Sequence, residues 1–232
     1  MKCTILAAGR GTRMGELCDD CPKPMLPIKN RPKLAYTIDA LPEVIDEIVI
    51  VVGYLQEQIR EYFGAEHRGR EITYVEQVEL LGTDHALRQV APLVDGERFL
   101  VLNGDDLYMQ EDLREMCQHD YAALAYRTQN AAEFGSMQIY EDNTLRDIIE
   151  KPHGFTEGLV STGTFVLTDE YFSFPPVPKS PGSSEYGLPQ TLVAAHPEIQ
   201  VHVIETQRWF PIGDPDSLQA AATVIHDFLP AV

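Results

Sequence analysis

Positive charge is scarce in this chain. Lysines and arginines number 18 against 36 aspartates and glutamates in 232 residues, a formal net charge of −18 at pH 7. Such a surface repels a phosphate backbone and excludes nucleic acid as a partner. Long apolar runs are missing as well: nothing approaches the ~18 consecutive apolar residues of a membrane-spanning helix. The N-terminus, Met1-Lys2-Cys3-Thr4-Ile5-Leu6, soon meets glycines. It lacks the apolar stretch and small-residue cleavage site of a signal peptide, so the expected location is cytoplasmic. Four cysteines, Cys3, Cys18, Cys21 and Cys117, do not suggest a disulfide framework. Cys18-x-x-Cys21 has half the spacing of a zinc site, but no second Cys/His pair follows, and the two read as ordinary loop thiols.

Hydrophobic residues make up 44% of the chain, enough for a substantial core, and the length suits one α/β domain with long insertions. The few cations are unevenly spread. Lys2, Arg10, Arg13, Lys23, Lys29, Arg31 and Lys33 face only Glu16, Asp19 and Asp20 in the first 33 residues. A basic island in an acidic protein implies a local anion site.

Ile5-Leu6-Ala7-Ala8 reads as a buried strand opening into the loop Gly9-Arg10-Gly11. Residues 33–41 have helical spacing, with Leu34, Ile38 and Leu41 on one face. Glu47 to Val52 is the clearest strand, apolar and β-branched as a central parallel strand requires. Helices are expected over 56–63, 83–90 and 216–228, and strands over 72–75 and 99–102, the latter running into Asn103-Gly104-Asp105-Asp106. This alternation predicts a Rossmann-like, doubly wound, mostly parallel mixed sheet with helices on both faces and functional loops at the strands' C-terminal ends. From Tyr121 on, strands over 121–126, 135–140, 144–149, 163–167 and 201–204 extend the sheet. The expected organisation is one domain, 1–232, in two halves, 1–120 and 121–232. The Pro-, Ser- and Gly-rich stretch from Phe174 to Gly187 reads as a mobile loop.

Glycines after a buried strand let backbone N–H groups turn toward a phosphate, and here Arg10 and Arg13 stand beside them. The segment is not a P-loop, since no Gly-Lys-Ser/Thr follows, nor a dinucleotide fingerprint, since Met14 stands where the third glycine belongs. Lys23-Pro24-Met25-Leu26-Pro27 comes ten residues after Arg13, with prolines stiffening the loop around a lysine.

Leu6-Ala7-Ala8-Gly9-x-Gly11-Thr12-Arg13 followed by Lys23-Pro24-Met25-Leu26-Pro27 resembles the signature of the sugar-phosphate nucleotidylyltransferases, the family of glucose-1-phosphate thymidylyl- and uridylyltransferases. The resemblance continues in order along nearly the whole chain. Gln77 with Leu81-Gly82-Thr83 resembles the base-reading segment, and Asn103-Gly104-Asp105 the metal-binding strand end. Phe134-Gly135, Glu150-Lys151-Pro152 and Ser161-Thr162-Gly163 resemble sugar-side elements, and Trp209 to Pro215 the closing motif.

The resemblance implies a Mg2+-dependent condensation of a sugar 1-phosphate with UTP or dTTP, giving a nucleotide sugar and pyrophosphate. It implies catalytic roles for Arg13 and Lys23, and nucleotide contacts from Leu6, Ala7, Ala8, Gly9, Gly11, Thr12, Gln77, Gly82, Thr83 and Gly104. Sugar-phosphate contacts fall to Gly135, Glu150, Lys151 and Thr162, and the metal to Asp105. Arg offers a planar fork to several oxygens and Lys a point charge, as two polyanions brought together require. Gln77 can offer a donor and an acceptor to a pyrimidine edge, and Gly82 would let the base approach the backbone. Asp106 would point elsewhere, and His85 reads as packed.

Two positions depart from the family pattern. Ser161 stands where an asparagine is frequent, which leaves the sugar open. Pro211 stands where many relatives carry a second metal-binding aspartate; Asp214 is the nearest substitute. A nucleotide-sugar-sensing module without turnover and a cytidylyltransferase acting on a non-sugar phosphate are the alternatives. No hexapeptide repeat follows, so nucleotidyl transfer is the one activity expected. The Pro-rich loops and the C-terminal helix are available for a homo-oligomer interface.

Overall fold

The computed structural model describes residues 1–94, 96–150 and 156–229. Its strands are β1 (Lys2–Leu6), β2 (Pro27–Ile28), β3 (Arg31–Pro32), β4 (Glu47–Val52), β5 (Glu66–His67), β6 (Arg70–Glu76) and β7 (Phe99–Asn103), then β8 (Leu107–Tyr108), β9 (Ala122–Thr128), β10 (Gly135–Ile139), β11 (Leu145–Glu150), β12 (Gly158–Leu167), β13 (His202–Thr206) and β14 (Trp209–Phe210). The helices are α1 (Lys33–Asp39), α2 (Gln56–Phe63), α3 (Thr83–Arg88), α4 (Gln110–Met116), α5 (Leu188–Ala194) and α6 (Pro215–Val224).

Ten strands form one mixed sheet whose main path runs β11-β10-β12-β7-β1-β4-β6-β5. β7, β1, β4 and β6 are mutually parallel, β12 joins antiparallel to both β7 and β9, and β13 returns parallel to β9. The fold is the Rossmann-like α/β arrangement expected.

Period-two alternation explains how one strand serves two helical layers. Ile48, Ile50 and Val52 of β4 pack with Leu34 and Ile38 of α1 and with Ile59 and Phe63 of α2. Val49 and Val51 turn to the opposite face, where Ala86 and Leu87 of α3 and Leu188 and Leu192 of α5 cover them. β7 behaves alike, with Leu100 and Leu102 on the first face and Phe99 and Val101 on the second. Parallel strands align their C-terminal ends, so Leu6 lies in register with Val51 on one side and Asn103 on the other. The loops leaving β1, β4, β6 and β7 therefore open along one edge.

α4 and α5 escape the sequence pattern. Only Leu113 and Met116 of α4 are buried, too sparse a stripe to show a period, and α5 starts at Leu188-Pro189 directly after the Pro-, Ser- and Gly-rich stretch. That stretch, expected as a mobile loop, is tied by backbone bonds. The Tyr186 N–H donates to the Leu81 carbonyl at 2.8 Å, the Asp84 N–H to the Tyr186 carbonyl at 3.1 Å, and the Gly187 N–H to the Val177 carbonyl at 3.0 Å. No helix among the described residues is long and apolar enough to cross a membrane.

Candidate active site

The loop after β1 is threaded between its neighbours. The Ala7 N–H donates to the Val51 carbonyl at 2.9 Å, the Gly104 N–H to Leu6 at 3.1 Å and the Tyr54 N–H to Ala8 at 3.1 Å. Gly9 and Thr12 follow in the open. Gly11 is left-handed at φ 67, and a Cβ there would stand 2.8 Å from Lys23 Cβ and 3.0 Å from Cys18 Sγ. Glycine at this point lets the lysine loop close on the phosphate-type loop. Cys18 and Cys21 are free thiols packed around Met14 and Leu26, as ordinary loop thiols would be.

Lys23 crosses to the loop after β7, where its ammonium pairs with the Asp105 carboxylate. Both side chains are largely buried, at 14% and 19% exposure. Gly104 brings the β7 loop tight against β1, since a Cβ there would sit 3.1 Å from Ile5 Cγ2. The exposed Arg13 guanidinium lies over Gly213, whose added Cβ would be 3.4 Å from Arg13 Nη1. The closing motif reaches this point through the β8–β14 ribbon, which pairs Tyr108 with Trp209 and Leu107 with Phe210. Loops far apart in sequence thus bring Arg13, Lys23 and Asp105 to one end of the sheet.

Asp106 turns inward, as anticipated. Its Oδ1 accepts the Ile212 N–H at 3.2 Å, and Thr37 Oγ1 donates to its backbone carbonyl at 3.2 Å. Burial, then the neighbouring Asp105 charge, raises its carboxyl to about 7. Beside it lies a residue that sequence reasoning passed over. Lys33, the first residue of α1, is wholly buried, and among the described residues its Nζ has no hydrogen-bond partner. Burial lowers its ammonium to about 8, against the attraction of Asp105 and Asp106. The available signal was the i, i+4 pair Lys33 and Thr37, which gives the helix a polar side next to its apolar stripe.

Pro211 leaves no carboxylate at its position, and Asp214 does not replace one: it is the N-cap of α6, accepting the Ser217 N–H at 2.8 Å in a capping box. Its carboxyl is lowered first by Ser217 and then by the charges of Arg13 and Lys23. Among the described residues no group of three or more His, Cys, Asp or Glu is placed to hold a metal. The donor set fits an ion that needs one carboxylate and takes its other ligands from phosphates and water, which is magnesium's habit.

On the β6 side, the Gln77 N–H donates to Val52 at 2.8 Å, next to Gly53, where a Cβ would meet the Ala8 carbonyl at 2.9 Å. Gln77 is 5% exposed. Its Nε2 is engaged inside the protein, lying 3.1 Å from the Gly82 carbonyl and 3.0 Å from His85 Nδ1. His85, expected as mere packing, is a partner of the predicted base reader. Gly82 has φ 94, and its close neighbour is the Tyr186 backbone, 2.3 Å from where a Cβ would stand. The Thr83 hydroxyl accepts the Leu188 N–H at 3.0 Å and anchors the start of α5.

In the second half of the chain, Gly135 pairs with Glu150 across β10 and β11, and a Cβ on Gly135 would be 3.5 Å from Glu150 Oε1. Lys151 lies outside the described residues. The Thr162 hydroxyl is buried and donates to the Leu124 carbonyl at 3.0 Å, so it faces away from solvent. Asn103, unremarked in the sequence beyond its motif, links the two halves: Nδ2 donates to the Thr162 carbonyl at 3.5 Å and lies against Gly163.

A doubly wound sheet with a glycine loop, two cations and a carboxylate at its carboxyl edge has the charge and the exposed backbone that phosphate oxygens would need. The chain belongs to the Nucleotidyl transferase family, whose pattern matches residues 2–227. It is 31% identical over 222 residues to the bifunctional protein GlmU of Methanocaldococcus jannaschii, covering 95% of this chain and 53% of that protein. Against the UTP–glucose-1-phosphate uridylyltransferase AglF of Haloferax volcanii it is 32% identical over 180 residues, with 74% of each chain covered. The chain spans about half the length of the GlmU relatives it matches. Among solved structures, a putative glucose-1-phosphate thymidylyltransferase from Bacillus anthracis superposes with a TM-score of 0.85 at 22% identity, covering 98% of this chain and 96% of that one. That likeness carries the fold.

Proposed function

We propose that this chain is a magnesium-dependent nucleotidyltransferase that condenses a sugar 1-phosphate with UTP or dTTP and releases pyrophosphate. The observation that carries the reading is the meeting of Lys23 and Asp105 beside the loop that follows β1. An oxygen of the sugar phosphate attacks the α-phosphorus in line, one P–O bond forms, and the bond to pyrophosphate breaks. The free N–H groups of residues 9–12 receive triphosphate oxygens, Arg13 neutralises charge growing on the leaving pyrophosphate, and Lys23 leaves Asp105 to contact the α-phosphate. Magnesium bound by Asp105 would neutralise phosphate charge as a Lewis acid. Residues 1–120 serve the nucleotide, and residues 121–232 the sugar, with Gly135, Glu150 and Lys151 at its phosphate and the Thr162 backbone beside the ring. The proposed place of work is the cytoplasm, on small phosphate-bearing substrates.

The experiment is a panel of sugar 1-phosphates against four nucleoside triphosphates with magnesium, following pyrophosphate. Turnover with UTP or dTTP that stops on chelation supports the reading; no turnover with any pair sinks it. One observation favours a second reading. With Pro211 in place and Asp214 capping α6, the closing motif offers Asp105 no second carboxylate, which suits a sensor that binds a nucleotide sugar without turnover. Calorimetry with nucleotide sugars beside the pyrophosphate assay separates the two.

A further inference from the structure

Pro211, Ile212 and Gly213 join the end of β14 to Asp214, the N-cap of α6. Proline has no N–H to give. Among the described residues, the one hydrogen bond from residues 211–213 runs from the Ile212 N–H to Asp106 Oδ1, at 3.2 Å. The Ile212 side chain is wholly buried in a small cluster with Leu107, Ile28 and Tyr36. Asp106 is held in turn. Thr37 Oγ1 donates to its carbonyl at 3.2 Å, and the next residue, Leu107, pairs with Phe210 in the β8–β14 ribbon. A carboxyl oxygen can accept an N–H with or without a proton on the group, so the bond to Ile212 needs no particular charge state. Gly213 carries Arg13. A Cβ at Gly213 would stand 3.4, 3.7 and 3.9 Å from Arg13 Nη1, Cζ and Nη2, so the guanidinium spreads over this point of the backbone. An exposed arginine loses much rotamer freedom when it grips a ligand, and a surface that already holds it near the bound geometry reduces that loss.

We propose that Asp106 is a positioning residue: through the Ile212 N–H it seats Gly213 beneath Arg13 and so aims the guanidinium at the pyrophosphate end of a bound nucleoside triphosphate. The inference rests on the proposed nucleotidyltransferase reading and deepens it. Two adjacent aspartates then have separate tasks. Asp105 faces Lys23 at the open end of the sheet, while Asp106 turns inward and acts on the arginine through the closing motif. One short loop after β7 thus sets the spacing between the groups that would hold the two ends of the triphosphate.

The test is calorimetric binding of UTP and UMP, each with magnesium, with dTTP and dTMP in their place should UTP not bind. The proteins are the wild type, Asp106→Leu, Asp106→Asn, Arg13→Ala and the double variant Arg13→Ala/Asp106→Leu. The monophosphate lacks the pyrophosphate group, so the ratio of the two affinities reads what Arg13 contributes. Asp106→Leu fills the space but cannot accept from Ile212, and the ratio should fall by about tenfold, chiefly through weaker triphosphate binding. Asp106→Asn keeps an acceptor oxygen and should keep most of the ratio. In the Arg13→Ala background Asp106→Leu should change the ratio by less than about twofold, because the arginine it positions has gone. A merely structural role would weaken both nucleotides together and leave the ratio unchanged, which would overturn the proposal. An equal fall with and without Arg13 would overturn it too, since the effect would then not pass through the arginine. Should Asp106→Leu fail to fold, Asp106→Ser, whose shorter side chain gives up the acceptor position, is read in the same way. A wild type that binds triphosphate no more tightly than monophosphate sinks the inference and leaves a nucleotide site standing. Failure to bind any nucleotide removes both.

Discussion

Replacing Lys33 with methionine should make the protein more stable. The side chain is wholly buried, and no hydrogen-bond partner among the described residues reaches its Nζ. Burial lowers the ammonium from 10.5 to about 8, with Asp105 and Asp106 pulling the other way and Lys23 adding to the fall. At roughly 1.4 kcal/mol per factor of ten, that gap corresponds to about 3 kcal/mol of stability lost at neutral pH. Methionine keeps the stem's shape and removes the charge, the kind of exchange that stabilises buried ionic sites. Between pH 8 and 10.5 the unfolded chain holds a proton that the folded chain has released, so wild-type stability gains across that window relative to the variant. Urea unfolding of both proteins at pH 7 and pH 10 is the assay. Lys33→Met should be the more stable by about 3 kcal/mol at pH 7, and the advantage should narrow at pH 10. A variant less stable than wild type at pH 7, or an advantage that ignores pH, would refute the reasoning. The same variant should turn over at least about tenfold more slowly, because a cation beside Asp105 has gone.

The other predictions concern the site and its supports. Lys23→Ala should lower turnover by roughly 10²–10³ while the far-ultraviolet spectrum stays native, as its proposed action on charge at the reacting phosphate requires. Wild-type turnover in that variant would remove Lys23 from the mechanism. Gly82→Ala drives a Cβ to 2.3 Å from the Tyr186 carbonyl at a φ of 94, so the 174–187 segment must shift. Nucleotide affinity should fall by about tenfold or more and the melting temperature should drop, and an unchanged protein would show that this contact does not hold the segment. Asp214→Ala removes an N-cap worth about 1 kcal/mol. Because Ser217 lowers the Asp214 carboxyl below its usual 3.8, the contribution is present above pH 4 and fades as pH falls through the folded value. Thermal melts of the variant and wild type should therefore converge in acid, and a constant difference would contradict the cap.

Much of the fold could be read from the sequence because its strands are either continuous apolar runs or alternating segments. Ile48 to Val52 is a continuous apolar run and is buried on both faces, and the apolar residues of the helices over 33–39 and 56–63 recur at helical spacing. α4 was not legible, because two inward residues among charged neighbours give no period. The site was legible where a motif is contiguous, as in the loop after β1 and at Asp105. What sequence could not give was direction. Thr162 lies in the expected segment, yet its hydroxyl bonds the Leu124 carbonyl where the β12–β9 register breaks between Ser161 and Phe165. The amide of Gln77 is inside the expected base-reading segment, yet its nitrogen is held by Gly82 and His85. Lys33 escaped because a lysine after a proline reads as an exposed helix start, whereas α1 is buried on every side.

The account depends on the cations of the loop after β1 and the Asp105 carboxylate serving one triphosphate. A crystal structure with UTP and manganese tests this most directly, since the ion's anomalous signal marks its position independently of the nucleotide. The expected result is a manganese peak between Asp105 and the α-phosphate, with Lys23 moved onto that phosphate and Arg13 on the pyrophosphate end. A nucleotide bound elsewhere, or one bound here while Lys23 still pairs with an ion-free Asp105, would contradict it.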